Sequence, residues 1–547
     1  MSTNPIIRFI QWHWGDTTYP RSAEQLEKEK YILGFLPFNR WLMMPAAVLF
    51  QLICGSLYAW SVFNKPIDQA IFGTPTVSAL VSCRYQHKPE KEPTPPLAEK
   101  YSHLTLLNDI GLSAAIAGPW LERKGPRVGA LTGSILFMSG NMLAGLGVYL
   151  KLIGLVYFGY GVVGGIGLGI CYISPVSPLQ KWFPDHRGLA SGLAVCGFGA
   201  GSIALAKVPL PLQAAVGLPL TFVILGAVYF GVMLACSAVF RVPPPNYTVN
   251  GLDVRGQSVS STALPLTRSS EKFELESQVT TVVSEPTINM TLIESIFSRD
   301  YRFMYVMFFG NSVCDTLQNC NRCRSNIITD IFGMTPDTAA TIVSINGGFN
   351  LAGRLFFSTL SDYTGRKACF IIMLATQVVI LGSLTTVMQA QAYWVHNIMI
   401  WVLTACYGAG FGIIPAFLTD MFGPSNIGAL HGIILTAWAS AGVGGGLIFT
   451  AIFNSLVASG LSVKSVEVYS PNLWWIFGVT LIGFLFVLLI RTGIRDRLLP
   501  RVPGEVTSIR VFGRLIRLRT SGFEVVSREQ EDQEWGTYLA SLHSPAK

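Results

Sequence analysis

A single arginine inside an apolar segment is the residue of this chain best suited to holding a ligand. Arg354 lies in the middle of the run SINGGFNLAGRLFFSTL, eight residues before Asp362. At a rise of 1.5 Å per helical residue, this spacing places it about 12 Å from the helix end. If the segment crosses a membrane, a cation at that depth is unfavourable unless it faces a cavity or an anion, and a guanidinium can hold a carboxylate through two hydrogen bonds. The alternative is a structural arginine that donates to carbonyl groups of a neighbouring helix.

Two short loops place carboxylates beside cations. LERKGPR contains Glu122, Arg123 and Arg127, and LSDYTGRK contains Asp362, Arg366 and Lys367. A carboxylate at a helix end can cap the N-terminus of a neighbouring helix and pair with cations. We expect these six residues to close one face of the molecule. The alternative is that they only anchor the loops at a membrane surface.

The sequence lacks the residue groups on which enzymes and metal sites depend. No convergent set of His, Cys, Ser and carboxylate residues stands near the end of an apolar segment. Cys314, Cys320 and Cys323 come close together in the chain, but no matching cluster of ligands accompanies them. We therefore expect no enzymatic activity, no metal site and no cofactor.

Matching residues recur along the chain at a constant spacing of 240 positions. Glu122, Gly125 and Arg127 return as Asp362, Gly365 and Lys367, Gly188 and Gly192 as Gly428 and Gly432, Pro175 as Pro415, and Phe198 as Trp438. A repeat of this length in apolar sequence indicates two similar multi-helix halves joined in the same orientation. That arrangement is typical of transporters whose halves rock about a central site.

Composition indicates a membrane protein. Half of the 547 residues are hydrophobic and only 13% are charged, so a soluble chain of this length would lack the polar surface to cover itself. Many of the 54 glycines lie inside apolar runs such as GVVGGIGLGI, where they let helices approach closely in lipid. The net charge of +8 is spread over loops and tail rather than gathered in a patch. The expected partner is therefore the lipid bilayer, and nucleic acid is not expected.

Twelve apolar stretches are candidates to cross roughly 30 Å of hydrocarbon. They lie near residues 42–63, 104–121, 128–149, 152–178, 188–208 and 218–240, and near 301–320, 338–360, 368–390, 396–419, 427–454 and 472–491. Lysine and arginine collect in the loops between even-numbered and odd-numbered stretches and after the last one, so the positive-inside rule places both termini in the cytoplasm. The start of the chain lacks the pattern of a cleaved signal peptide.

These stretches divide the chain into five parts. We expect a cytoplasmic N-terminal segment at 1–41, a six-helix bundle at 42–241, a flexible cytoplasmic linker at 242–298, a second six-helix bundle at 299–492 and a basic cytoplasmic tail at 493–547. In the tail, one helical face would carry Ile509, Phe512 and Ile516 and another Arg510, Arg514 and Arg517. Such a helix suits an anionic membrane surface, and a solvated basic tail is the alternative.

Two of the twelve stretches are interrupted. Residues 76–108 are charged and rich in proline where the second helix should begin, and the seventh stretch breaks into polar residues at 314–326. An extracellular insertion and an early helix end are possible explanations, and a wrongly assembled coding sequence is another. A chain damaged at these places would keep its fold and lose transport. A nontransporting membrane sensor or inactive relative is therefore the alternative function.

Several longer segments resemble the oxalate:formate antiporter family of the major facilitator superfamily. They are NRWLMMPAAVLFQLICGSLYAWSVF, GLSAAIAGPWLERKGPRVG, GYGVVGGIGLGICYISPVSPLQKWFPDHRGLASGLAVCGFG and SINGGFNLAGRLFFSTLSDYTGRK. The run WFPDHRGLASG is the most specific, whereas the two loop motifs occur across the superfamily and identify only its fold. The resemblance implies an all-α membrane protein with twelve transmembrane helices in two six-helix halves. It also implies a gating role for the six loop residues.

The resemblance further implies where a substrate binds. The substrate-binding arginine in the eighth helix of the family matches Arg354. Aromatic residues that line the central cavity of the family match Tyr58, Tyr172 and Tyr407, and Phe198 and Trp438 hold repeat-related positions. A tyrosine can donate a hydrogen bond to a carboxylate while aromatic rings exclude water. Taken singly, each of these aromatic residues is also consistent with simple packing.

Departures from the family narrow the expected ligand. Oxalate exchangers carry a second basic residue in the eleventh helix, where this chain has Trp438. One buried cation neutralises one carboxylate, so a dianion such as oxalate would bring an unpaired charge into the site. A small monocarboxylate is therefore expected, and charge does not distinguish lactate, pyruvate, formate and acetate.

Coupling is left open between exchange and proton symport. Related proton-linked carriers have an aspartate one turn before the arginine, where this chain has Asn350, and this favours exchange. His431, near the start of the eleventh stretch, could titrate, although a histidine in such a place is more often a polar residue at a helix end. We expect a monomeric transporter of small organic anions that works by alternating access in the plasma membrane.

Overall fold

The protein consists mainly of long helices. The structure, a computed structural model, describes residues 8, 12–15, 19–32, 34–73, 102–205, 207–257, 290–314, 327–500, 502–511 and 514–543. Eight helices in this part are long and apolar enough to cross a membrane. The interrupted stretches predicted at 76–108 and 314–326 lie mostly outside the described residues.

Twelve helices of the described part make up the two halves, and we number them α1 to α12. The first half contains α1 (Met43–Cys54, continued by the 3-10 segment Gly55–Val62 and by Asn64–Phe72), α2 (Ser102–Lys124), α3 (Pro126–Tyr149), α4 (Ile153–Trp182), α5 (Arg187–Ala204, followed by Pro209–Val216) and α6 (Leu218–Ser237). The second half contains α7 (Arg299–Ser312), α8 (Pro336–Thr364), α9 (Arg366–Gln389), α10 (Tyr393–Phe422), α11 (Ile427–Ala458) and α12 (Val466–Leu489). Two π-helical segments, Tyr157–Gly164 inside α4 and Ile327–Ile331 before α8, interrupt the regular pattern. The predicted fold of two six-helix halves is confirmed.

The two halves meet through two related helix pairs, α5 with α8 and α2 with α11. A Cβ atom on Gly192 of α5 would lie 2.9 Å from the carbonyl oxygen of Arg354, and one on Gly432 of α11 would lie 2.2 Å from that of Ala114. Gly192 and Gly432 are 240 positions apart, and so are their partners Arg354 and Ala114. The second contact is therefore the repeat of the first, with the glycine in the second half and its partner in the first. Contacts exchanged in this way are expected of halves related by a two-fold axis along the membrane normal.

Glycines set the geometry of the two loop motifs. Gly125 separates α2 from α3 with φ of 86°, and Gly365 separates α8 from α9 with φ of 90°. Only glycine adopts such a backbone conformation without steric strain, which explains its place in both loops. We call the end of the bundle that carries residues 122–127 and 362–367 the motif end.

Short elements flank the bundle at the motif end. They are the helix Ala23–Lys28, the strand pair Tyr31–Ile32 and Leu36–Pro37, the strand pair Thr248–Val249 and Leu252–Asp253, and the helix Leu292–Phe297. The described ends of the linker are therefore ordered, whereas the sequence predicted a flexible connector throughout. The side-chain amide of Asn250 donates a hydrogen bond to Asp185 Oδ2 at 3.0 Å, and this contact joins the start of the linker to the first half.

The tail contains strands where the sequence pattern predicted an amphipathic helix, so that prediction is wrong. After the short helix Ile494–Leu498, three antiparallel strands span Glu505–Val511, Arg514–Arg519 and Gly522–Val525, and a helix follows at Arg528–His543. Arg510 pairs with Asp496 and Glu531, and Arg517 pairs with Glu534 of the last helix. These two arginines therefore form ion pairs with other residues of the tail, and the ion pairs stabilise the sheet.

The close approach of α1 and α5 yields a stability prediction. A Cβ atom on Gly55 would lie 2.2 Å from the carbonyl oxygen of Phe198, whereas one on Gly444 of α11 would meet no atom within 4 Å. Gly55→Ala should therefore force the helices apart and destabilise the protein by about 1–3 kcal/mol. Gly444→Ala is the matched control and should leave the thermal unfolding temperature in detergent unchanged or slightly higher. Equal unfolding temperatures for the two variants would contradict this packing.

Candidate functional site

Arg354 lies between the two halves and is only 1% exposed. Its Nε–H donates to Asn350 Oδ1 at 2.9 Å, and its Nη1 donates to the carbonyl oxygen of Val195 in α5 at 2.8 Å. These bonds use two of the five N–H donors of a guanidinium, and the Tyr172 hydroxyl also interacts with Arg354. The bond to Val195 is the kind of contact expected of a structural arginine. The ligand-binding role of Arg354 therefore stays a prediction.

Aromatic rings flank the guanidinium of Arg354. Its Cζ atom lies 5.8 Å from the ring centroid of Phe198 and 5.1 Å from that of Phe411. A cation over aromatic faces is attracted by their electrons while the rings exclude water. Sequence reasoning missed Phe411, although it follows Tyr407 by four residues and so shares its helix face.

Trp438, Tyr407 and Phe411 form a second group of rings beside the arginine. The indole N–H of Trp438 donates to the hydroxyl of Tyr407 at 3.1 Å. The Phe411 ring packs against both, with centroid distances of 5.2 Å to Tyr407 and 5.6 Å to Trp438. The structure thus brings together two predicted residues, Tyr407 of α10 and Trp438 of α11. The group supplies shape and hydrogen bonding but no second cation.

Tyr172 of α4 completes the surroundings of Arg354. Its ring packs edge-on against Phe198 at 5.1 Å, and its hydroxyl is close enough to interact electrostatically with Arg354. Tyr58 belongs to the 3-10 segment of α1, but its side chain lies outside the described part. A role for Tyr58 in the site stays a prediction.

The two motif carboxylates bind helix N-termini of the opposite half. Glu122 Oε1 accepts a hydrogen bond from the backbone N–H of Gly428 at 2.7 Å, at the start of α11. Asp362 accepts from the backbone N–H groups of Gly188 at 2.8 Å and Leu189 at 3.1 Å, at the start of α5. A carboxylate is favourable there because the N–H groups are otherwise unpaired and the helix dipole is positive. These contacts hold the halves together at the motif end.

Further ion pairs surround these contacts. Lys181 and the hydroxyl of Ser177 donate to the Glu122 carboxylate. Arg187 of the first half pairs with Asp420 of the second at 2.7 Å, and Asp420 also accepts from Arg366. Sequence reasoning counted Lys181 and Arg187 only as loop cations, although both stand in or beside the run WFPDHRG. The pairing with Asp420 depends on how α5 and α10 meet and carries no local sequence signal.

Three other predicted gating residues bind within or beside their own half. Arg123 donates to the carbonyl oxygen of Trp12 at 2.9 Å, in the N-terminal segment. Arg127 donates to the carbonyl oxygen of Phe240 at 2.9 Å, just after α6, and Lys367 to that of Ile490 at 2.7 Å, just after α12. Cations at the C-terminal ends of helices are favourable, because the helix dipole is negative there. Of the six predicted gating residues, Glu122 and Asp362 thus make the described hydrogen bonds between halves.

A cavity of about 900 Å³ opens at the motif end beyond these contacts. Glu122, Lys181 and Asp420 form its inner wall, and Tyr19 and Arg497 are among the residues that cover it. Among the described residues that line it, Arg354 is absent. The hydrogen bonds of Glu122 and Asp362 join the two halves beside this cavity, and we call this arrangement the closed motif end.

The contacts of Asp362 yield a prediction on closure. Asp362→Asn should weaken two charge-assisted hydrogen bonds to α5, each contributing about 1.5–3 kcal/mol, and so populate an open motif end. Ser191 is buried on α5, one turn from Gly188, so a cysteine introduced there reports opening. In a background without other reactive thiols, a polar maleimide should label it at least tenfold faster in the Asp362→Asn variant. Asp532→Asn, which removes an exposed tail carboxylate, is the control; equal rates in all three proteins would contradict the closing role.

Comparison with known proteins agrees with this architecture. The profile of the Major Facilitator Superfamily matches residues 110–446, which is more than half of the chain. The oxalate:formate antiporter of Oxalobacter formigenes is 23% identical over 76% of this chain and 85% of its own. The apicoplast pyruvate carrier 1 of Toxoplasma gondii is 22% identical over 67% of this chain and 70% of its own. The resemblance to the oxalate:formate antiporter family predicted from the sequence is confirmed.

The fold is shared with solved transporter structures. The proton:xylose symporter XylE superposes with a TM-score of 0.56 at 14% identity, covering 82% of this chain and 94% of the symporter. At that identity the similarity concerns the fold alone. The matched profile, the fold and the described helices give one answer: this chain is an integral membrane protein of the major facilitator superfamily.

Proposed function

We propose that this protein transports small monocarboxylate anions by alternating access. The observation that carries the proposal is the buried guanidinium of Arg354, which lies where the halves meet and is flanked by Phe198 and Phe411. A cation in such a place is best explained by an anion that binds there for part of the cycle. Its planar donor arrangement matches a carboxylate.

The class of anion follows from the charges around Arg354. Trp438 occupies the place of a second cation, and its N–H is bonded to Tyr407. A monocarboxylate would be neutralised by one guanidinium, whereas a dianion would keep an unpaired buried charge. Two relatives are named for carboxylates, namely oxalate and formate in one and pyruvate in the other, which supports an organic anion as substrate.

Closure at the motif end supports alternating access. The halves are held there by the contacts of Glu122 with α11 and of Asp362 with α5. Rocking of one half against the other would break both contacts together, because they are related by the repeat. We infer that Glu122, Arg123, Arg127, Asp362, Arg366 and Lys367 gate the motif end and that this end faces the cytoplasm, as the loop charges favour. Both termini would then be cytoplasmic, in a plasma membrane protein that acts as a monomer.

Exchange is the preferred mode of coupling. Asn350, one turn before Arg354, accepts a hydrogen bond from the Nε–H of Arg354 at 2.9 Å. An amide cannot take up a proton at physiological pH, so this position supplies no proton for symport. Proton symport through another group is the alternative mode.

Uptake by proteoliposomes tests the proposal. Labelled formate, acetate, lactate, pyruvate and oxalate would each be offered to vesicles with or without an internal counter-anion or a pH gradient. We expect saturable uptake of at least one monocarboxylate that an internal counter-anion stimulates. If no anion enters faster than into protein-free vesicles, transport is refuted. The nontransporting sensor or inactive relative then becomes the better interpretation.

A further inference from the structure

We propose that His431 is a proton-binding site through which cytoplasmic acid favours opening of the motif end. The inference concerns a residue of α11 that no step of the proposed transport cycle uses. It rests on the proposed function in one respect, which is that the motif end opens toward the cytoplasm.

His431 is completely buried. The side chain is 0% exposed, and neither ring nitrogen has a hydrogen-bond partner in the part of the chain that the structure describes. The ring lies 5.8 Å from that of Tyr172. Buried polar groups are nearly always hydrogen-bonded, so an unpaired histidine calls for a state of the protein in which its nitrogens are used.

His431 lies among the contacts that close the motif end. Three residues before it, the backbone N–H of Gly428 donates to Glu122, and one residue after it, Gly432 packs on the backbone of Ala114. His431 therefore stands between two contacts that join α11 to α2. Any movement that opens the motif end must separate these contacts and bring water to the imidazole.

Two carboxylates of the described residues at the motif end, Glu122 and Asp420, are already paired. α11 packs on α2, α4, α7, α10, α12 and the helix Leu292–Phe297, and the titratable or charged groups that these helices carry toward the motif end include Glu122 on α2, Tyr172 and Lys181 on α4, Tyr301 and Tyr305 on α7 and Asp420 on α10. Glu122 is bonded to Lys181, Ser177 and Gly428, and Asp420 to Arg187 and Arg366. The hydroxyl of Tyr301 donates to the carbonyl oxygen of Leu430 at 2.8 Å. Both described carboxylates nearby are thus occupied in the closed state.

Proton binding by His431 is thermodynamically linked to opening of the motif end, and this linkage sets the direction of the pH effect. In the closed state an imidazolium would be a buried charge near carboxylates that are already paired, which is unfavourable. In the open state water solvates the ring, and a proton from the cytoplasm can bind a ring nitrogen as it does in any exposed histidine. A proton therefore shifts the equilibrium toward the open state. With an ordinary histidine pKa of about 6.5, the ratio of open to closed protein should rise about tenfold between pH 7.5 and pH 5.5.

Spin-label distances across the motif end test the inference without any substrate. Lys124 in the first motif loop and Tyr363 in the second are exposed, Tyr363 at 82%. The full-length protein would carry spin labels at cysteines introduced at these two positions, with other reactive thiols replaced. As the pH falls from 7.5 to 5.5, we expect a population with a longer distance to grow about tenfold relative to the short one.

Two glutamine variants show whether His431 is responsible. His431→Gln should remove the pH response, because glutamine cannot take up the proton. His396→Gln is the matched control and should keep it, since His396 is also buried but lies near the start of α10, at the end away from the motif loops. A pH response that survives in His431→Gln, or that is lost in His396→Gln, would overturn the assignment.

The labelled protein with histidine intact is a test by itself, even if His431→Gln does not fold. An unchanged distance distribution between pH 7.5 and pH 5.5 would refute the inference directly. This outcome is distinct from failure of the proposed function, because the measurement needs no anion and no flux. Anion uptake together with a pH-independent distance would leave transport standing and remove only the role of His431.

Discussion

Replacing Arg354 with glutamine is expected to reduce anion uptake by two orders of magnitude or more while the protein remains inserted and folded. Glutamine keeps a hydrogen-bonding group near Asn350 but removes the charge that would neutralise a carboxylate. Leaving one member of a buried ion pair without its partner is unfavourable by about 3–5 kcal/mol. The measurement is initial uptake of labelled monocarboxylate by proteoliposomes that contain equal amounts of each protein.

Two further arginine substitutions make this result specific. Arg354→Lys keeps the charge and loses the planar pair of donors, so uptake should lie between those of the wild type and the glutamine variant. Arg517→Gln removes another buried arginine, one that pairs with Glu534 in the tail, and should leave uptake unchanged. Unchanged transport kinetics in Arg354→Gln would show that Arg354 is structural and that the bond to Val195 is its main role.

Replacing Trp438 with lysine is expected to reverse the preference between one and two carboxylates. The variant places a second cation beside Arg354 and removes the indole that bonds to Tyr407. A dianion would then be neutralised, which is worth a few kcal/mol if both charges are buried. A monoanion would face excess positive charge and bind more weakly. The measurement is competition by oxalate and by formate for uptake of a labelled monocarboxylate.

The pH dependence of the Trp438→Lys variant has a definite sign. A buried lysine can escape the excess charge by losing its proton, and that loss becomes easier as the pH rises. The gain in oxalate affinity should therefore grow as the pH falls. Trp401→Lys is the control. Because Trp401 stacks on Phe349, a lysine at this position should not improve oxalate binding. Oxalate binding that is equal in Trp438→Lys and wild type would refute the argument from charge.

The fold could be predicted from the sequence because its signals are long. The length of the apolar stretches indicates membrane helices. The constant spacing of 240 residues indicates two halves, because many positions share it. The carboxylates Glu122 and Asp362 were also predictable, since a charge at a helix end beside a glycine is a local pattern. Their partners on α11 and α5 follow from the repeat.

Other contacts could not be predicted from the sequence, because they depend on tertiary geometry. Arg187 and Asp420 are far apart in the chain and meet only because α5 and α10 approach at the motif end. In the tail, Ile509 and Ile516 fit a helical period, yet they face each other across two paired strands. Burial of Arg517 against Glu534 favours the sheet, and no periodicity of the tail alone reveals that partner.

The chemistry of closure explains how the motif end can open. Its contacts join carboxylates to backbone N–H groups at the starts of α5 and α11. Both partners are polar and gain hydration when they separate, which offsets part of the loss of their hydrogen bonds. The tight crossings at Gly192 and Gly432 add packing that is lost at the same time. A closed state held in this way is stable enough to form and weak enough to reverse.

Counterflow of formate and of oxalate tests the central claim most directly. Proteoliposomes containing the wild-type protein would be loaded with unlabelled formate and diluted into a trace of labelled formate, and the same would be done with oxalate. Binding of a single carboxylate by Arg354 predicts that labelled formate accumulates transiently above its equilibrium level and that oxalate accumulates far less. Oxalate counterflow as strong as that of formate, or no counterflow of formate or of any other small monocarboxylate, would contradict the account.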